Sequence, residues 1–156
     1  MWSTCCPSWR AKISSSLPDL GRRLRDGALV VRVAGVAASV PLLMRLPLSR
    51  LERLLEPRPA RRPSSAAHQA RVLRLVNTVL EAGRPVLRTT CLTRGITRYY
   101  FFRRAGIDVA LAFGMGQPTP GPLAGHCWLV KDDAPFLEVR DPRPVFTETY
   151  RLEPRP

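Results

Sequence analysis

A helix that begins with a cysteine is the feature that most constrains the fold of this chain. Residues 89–106 open with two threonines suited to a helix N-cap and end on a glycine, which is favoured just beyond a helix C-terminus. Between them Leu92, Ile96 and Tyr99 recur at three-to-four spacing, so one face should be buried. The thiol of Cys91 would then lie beside unpaired backbone N–H groups and the positive end of the helix dipole. Both favour the thiolate, which is the nucleophilic form of cysteine.

The pattern changes from helices to strands after this helix, beginning with an apolar run between glycines. Residues 123–130 and 135–140 then predict a β-hairpin. A register symmetric about Asp132 would place His126 directly opposite Glu138, with Cβ atoms about 5 Å apart. Strand alternation also predicts that the residue after His126 points away from it, into the core.

These residues together predict a nucleophilic site. Cys91 would be the nucleophile, His126 the general base, and Glu138 the carboxylate that orients the imidazole. Asp141 is the alternative third member, although in a regular strand it would face the opposite side from Glu138. Cys127 is interpreted as a small buried apolar residue. The structural alternative is an inert buried cysteine and a core histidine without a catalytic role.

The N-terminal part of the chain predicts helices. A poorly ordered tail, residues 1–17, should precede a first helix that starts at Pro18 and Asp19 and runs to about Val40, where Pro41 would end it. A short helix follows, and then a Pro-, Arg- and Ser-rich linker. We therefore predict two regions: residues 1–63, a helical N-terminal region with its linker, and residues 64–156, the core that carries the candidate site.

Charge and cysteine content limit the possible partners. The chain carries 25 Lys and Arg against 12 Asp and Glu, a formal net charge of +13, which suits acidic partners. The arginines are scattered and match no nucleic-acid-binding module, so no nucleic acid is expected. The four cysteines form no CxxC pair, and Cys5 and Cys6 are adjacent. We expect no metal, no cofactor and no disulfide framework, and a reducing cytoplasmic location. Arginines and prolines interrupt the apolar stretch 28–48, which argues against membrane contact.

Three motifs carry a resemblance to a known family. The segments 91–95 (CLTRG), 104–108 (RAGID) and 125–130 (GHCWLV) together resemble the lasso-peptide leader peptidases, over about residues 64–150. The resemblance implies an α+β fold with a papain/transglutaminase-like core. In such a core, a cysteine at a helix N-terminus packs against a small antiparallel sheet, and here N-terminal helices would precede it.

The same resemblance implies a function and partners. Members of this family use a Cys-His-Asp triad to cleave the leader peptide from a ribosomally made precursor. A separate leader-binding protein presents the precursor, and a cyclase then closes the macrolactam ring. This chain departs from the pattern by carrying Cys127 in place of alanine and Glu138 in place of aspartate. The alternatives are acyl transfer or processing in another ribosomal-peptide pathway, and a non-catalytic peptide-binding module of the same fold.

Overall fold

The computed structural model describes residues 9–55, 64–83, 90–118 and 121–153, and these form helices packed on an antiparallel sheet. The helices are α1 (Trp9–Leu43), α2 (Leu48–Leu55), α3 (Ala66–Ala82) and α4 (Cys91–Arg104). The strands are β1 (Ala110–Gly116), β2 (Ala124–Lys131), β3 (Ala134–Phe136) and β4 (Phe146–Leu152), in the sheet order β3-β2-β1-β4. This architecture confirms the predicted α+β class. Cys5, Cys6 and most of the predicted linker, residues 57–63, lie outside the described residues.

Helix α1 is longer than predicted at both ends. It begins at Trp9, where a tail was predicted, and Pro41 lies inside its last turn. The prediction that Pro41 ends the helix was wrong because a proline this close to the C-terminus removes little of the hydrogen-bond ladder. Packing of α1 against α3 and α4 also stabilises the helix. Within residues 25–43, the part of α1 whose burial the structure describes, the buried residues are Val33, Ala37 and Val40.

Much of α1 remains apolar without being buried. The segment Arg25–Leu43 has a mean hydropathy of 1.6, and 17% of it is buried. By length and composition it is long enough to cross a membrane, a property shared by core helices of soluble proteins and by signal sequences. The expected absence of membrane contact therefore stays a prediction.

Helix α4 lies at the centre of the core and packs against α1, α3 and β2. Ile96 and Phe102 are fully buried on it. The same apolar cluster includes Leu111 and Leu129 from the sheet and the buried face of α1. Residues on both sides of the predicted boundary at residue 63 thus share one core, and the division into two regions stays a prediction.

The β2–β3 hairpin differs from its predicted register by one residue. Leu129 pairs with Phe136, and Asp132 and Asp133 form the turn with φ angles of 50° and 56°. Two consecutive left-handed residues make a tight two-residue turn, whose centre lies between them and not at Asp132. The strand is also shorter than predicted, because Leu137 has a φ of 62° and takes the chain out of the sheet.

Candidate active site

The cysteine lies at the start of α4, as predicted. Thr90 is the N-cap, and its hydroxyl accepts a hydrogen bond from the backbone N–H of Thr93 at 3.2 Å. Thr90 has an extended backbone conformation, with φ −68° and ψ 164°, so the helix begins at the next residue, Cys91. Its side chain is partly buried. The structure therefore confirms a cysteine at a helix N-terminus packed against a small antiparallel sheet.

His126 and Glu138 lie in contact. His126 Nε2 is 3.6 Å from Glu138 Oε2, which is an ion-pair distance when the imidazole is protonated. Their side chains are 24% and 20% exposed, so solvent screens the pair only in part. The imidazole also stacks on Trp128, with ring centroids 5.8 Å apart, and lies against Phe146 at 5.0 Å. Two aromatic rings and one carboxylate thus fix the position of His126.

A glycine on the neighbouring strand makes room for this aromatic support. Gly114 pairs with His126 across β1 and β2. A Cβ atom at Gly114 would come within 2.7 Å of Trp128 Cη2 and 2.8 Å of the backbone oxygen of Thr147. Any larger residue would therefore push the Trp128 ring, and with it the imidazole that stacks on it, out of position.

The contact between His126 and Glu138 was predicted, but its structural cause was not. In the observed register, a straight continuation of β3 would bring Glu138 opposite Cys127 and not opposite His126. The left-handed conformation of Leu137 interrupts that continuation directly before Glu138. The carboxylate thus reaches the imidazole from a turn, because the chain has already left the sheet.

A narrow cleft joins the three predicted residues. Its volume is about 20 Å³, enough for roughly one water molecule. Cys91, His126 and Glu138 line it together with residues of α4 and β2: Arg94, Gly95, Arg98, Cys127 and Leu129. The cleft is too small to enclose a peptide, so a substrate would present only its reacting group there. The three catalytic roles stay predictions.

Asp141, the alternative third member, lies outside this cleft. Its carboxylate is exposed and accepts hydrogen bonds from the side chain and the backbone N–H of Arg143. These hydrogen bonds, chiefly those from the guanidinium, hold the pKa of Asp141 below its usual value. The carboxylate is therefore occupied by Arg143, away from the residues that line the cleft.

Cys127 is buried, as the sequence predicts, with 4% of its surface exposed. Its Sγ lies against Gly95 of α4, where an added Cβ would come within 2.6 Å of the sulfur. Burial is the main reason that the pKa of the Cys127 thiol is raised well above its usual value, and the neighbouring Cys91 and Glu138 add to the effect. The neutral thiol is a packing group between α4 and β2.

Two arginines of the cleft were missed by sequence reasoning. Arg98 is buried, with 6% exposed, and its Nε donates a hydrogen bond to Asn77 Oδ1 at 2.9 Å. Burial and then Arg94 lower the pKa of Arg98, whereas the negative charge of Glu138 acts in the opposite direction. Their positions three and seven residues after Cys91 put both on its helix face, which is a signal that sequence can provide.

Among the described residues, no group of three or more His, Cys, Asp or Glu side chains could hold a metal ion.

Comparison with known proteins gives the family. No curated protein and no solved structure matches the chain. A family model described as the transglutaminase-like superfamily matches residues 32–151, which is more than half of the sequence. The chain therefore belongs to the transglutaminase-like superfamily.

Proposed function

We propose that this protein is a cysteine peptidase that removes the leader peptide from a ribosomally made precursor during lasso-peptide maturation. Transglutaminase-like domains are commonly cysteine peptidases or acyltransferases, which gives the general kind of activity. The motifs around Cys91 and His126, which resemble the leader peptidases, give the specific one. The observation that carries the proposal is the His126–Glu138 contact in the cleft that Cys91 lines.

The proposed reaction proceeds in two steps. The Cys91 thiolate attacks the carbonyl carbon of the scissile amide, and the leaving amine takes its proton from the His126 imidazolium. This leaves the leader as a thioester on Cys91. His126 then takes a proton from water, the resulting hydroxide attacks the thioester carbonyl, and the C–S bond breaks to release the leader acid and the Cys91 thiolate. The backbone N–H of Cys91 is a natural donor to the oxyanion of both tetrahedral intermediates.

Glu138 is proposed to act on His126 and not on the substrate. A carboxylate 3.6 Å from Nε2 holds the ring in place and stabilises its protonated form. Trp128 supports the same ring orientation by stacking on it. The family pattern has aspartate at this position, and here the longer glutamate reaches His126 Nε2 from the turn that begins at Leu137.

The proposed partners follow from the proposed function. The substrate is a precursor peptide, which a separate leader-binding protein would present to the cleft. A macrolactam-forming cyclase would act on the released core peptide. The reaction needs no cofactor, and we propose that it takes place in the cytoplasm.

The test uses a precursor and a leader-binding protein, which we expect to be encoded beside this chain's gene. The purified full chain should convert the precursor into free leader and core peptide, detected by mass spectrometry, and Cys91→Ala should form neither product. A precursor that stays intact with the wild-type chain would overturn the proposal. Transfer of the leader to an added amine, without hydrolysis, would instead identify an acyltransferase. Precursor binding without any product would identify a binding module.

A further inference from the structure

A second, larger cavity lies at the other end of α4. Its volume is about 240 Å³, and residues of α1, α3 and α4 line it. Helix α4 runs for 14 residues from Cys91 to Arg104, or about 20 Å at 1.5 Å per residue. The cavity shares no lining residue with the cleft around Cys91. It is therefore a separate feature that the proposed catalytic mechanism does not use.

The buried and exposed parts of this cavity differ in chemistry. Val72 and Phe101 are both 5% exposed and, with the partly buried Leu29, give it an apolar floor. The exposed lining residues are basic or titratable instead: Arg25, Arg32, His68 and Arg104. An apolar floor below a ring of guanidinium groups suits a ligand with an apolar centre and negative charges around it.

Arginine is the most frequent residue in the lining of the cavity. Arg71 also lines it and forms an ion pair with Asp26 on α1. The guanidinium of Arg104 lies 5.3 Å from the centroid of the Tyr100 ring, which leaves its N–H groups able to bind an anion. Among the described residues that line the cavity, none is a carboxylate. The cavity therefore attracts anions.

We propose that this cavity binds an acidic segment of a second polypeptide, with one apolar side chain on the floor and flanking carboxylates on the arginines. Arginine binds carboxylates through two parallel N–H···O bonds, so several guanidinium groups around one apolar floor match such a segment. The cavity is smaller than the roughly 300–1,000 Å³ of typical small-molecule sites, which favours a single side chain over a cofactor. The formal charge of +13 attracts the same class of partner over a longer range.

The proposal is tested by direct binding to the full chain. The probe is a fluorescein-labelled peptide with one leucine between glutamates, followed by fluorescence polarisation. We expect the double variant Arg32→Glu/Arg104→Gln to weaken binding at least about tenfold, because two ion pairs are lost and one position becomes repulsive. The control Arg50→Glu/Arg140→Gln makes the same charge change at exposed positions outside the cavity, and it should weaken binding less than about threefold.

Changes in the probe test the same idea without altering the protein. Replacing the glutamates by glutamine should weaken binding at least about tenfold, and replacing the leucine by serine should weaken it severalfold. Equal weakening by the two double variants would overturn the proposal, because the attraction would then be non-specific. Equal binding of the glutamine peptide would also overturn it. Binding of the chain to phosphatidylglycerol vesicles would also overturn the proposal, if the cavity variant abolished that binding and the acidic peptide did not compete with it.

Discussion

The change Glu138→Gln tests the proposed role of the carboxylate most directly. Glutamine keeps the shape and hydrogen-bonding capacity of the side chain but removes its charge. Unit charges 3.6 Å apart attract by about 4–5 kcal/mol at an effective dielectric constant of about 20. Both side chains are about one-fifth exposed, so solvent screens part of this attraction. Glu138→Gln should therefore slow precursor cleavage about ten- to a thousandfold.

A matched pair of variants separates this effect from a general loss of charge. Asp141→Asn removes a carboxylate three residues away, one that binds Arg143 and lies outside the cleft. We expect this control to change the cleavage rate less than about twofold. Glu138→Asp keeps the charge but withdraws the carboxylate by about one C–C bond, 1.5 Å, so it should show an intermediate rate.

The assay measures cleavage of the precursor under single-turnover conditions, with the leader-binding protein present and the fold of each variant checked by circular dichroism. The decisive comparison is between the two charge-removing variants. A large loss of rate in Asp141→Asn, with Glu138→Gln nearly unchanged, would refute the assignment. The third catalytic position would then belong to Asp141.

Other predictions concern the surroundings of the cleft. Iodoacetamide should label Cys91 faster than Cys127 near neutral pH, as mapped by mass spectrometry, because Cys127 is buried and its pKa is raised. Because of that raised pKa, the Cys127 thiol stays protonated in the folded chain, whereas in the unfolded chain it loses its proton above about pH 8.5. The free energy of unfolding should therefore fall with rising pH above that value, by up to about 1.4 kcal/mol per pH unit more in the wild-type chain than in Cys127→Ala. Gly95→Ala should destabilise by about 1–3 kcal/mol through contact with Cys127 Sγ, and adding Cys127→Ala should remove most of that loss in urea titrations. Asn77→Ala should lower the free energy of unfolding by about 1–3 kcal/mol because it leaves the buried Arg98 Nε without its acceptor, whereas Asn77→Asp should lower it less.

Local patterns in the sequence were sufficient to predict much of the helical structure. Helix α3 extends from Ala66 to Ala82 with Ser65 as its N-cap, and its sequence shows this through apolar residues at helical spacing: Val72, Leu75, Val76, Val79 and Leu80. Strand β4 was missed because its residues are half-buried or exposed, so apolar alternation gives little signal for it. Its place in the sheet depends on pairing with β1, more than thirty residues earlier in the chain. A local pattern cannot report such a long-range contact.

The contact between His126 and Glu138 shows where sequence reasoning about the site reached its limit. The sequence prediction placed the two residues opposite each other in an ideal hairpin. The observed hairpin has a different centre and a shorter second strand. They meet because Leu137 adopts a left-handed conformation, which a branched apolar side chain rarely does and which composition does not reveal. Such strain persists only where the surrounding structure enforces it, and it often accompanies function. Leu137→Gly should relieve the backbone strain but lose the packing of the partly buried side chain against the core, so the free energy of unfolding should change little. The freed turn should hold Glu138 less firmly against His126 and lower the cleavage rate. A folded Leu137→Gly variant that keeps its full rate would show that this turn does not position the carboxylate.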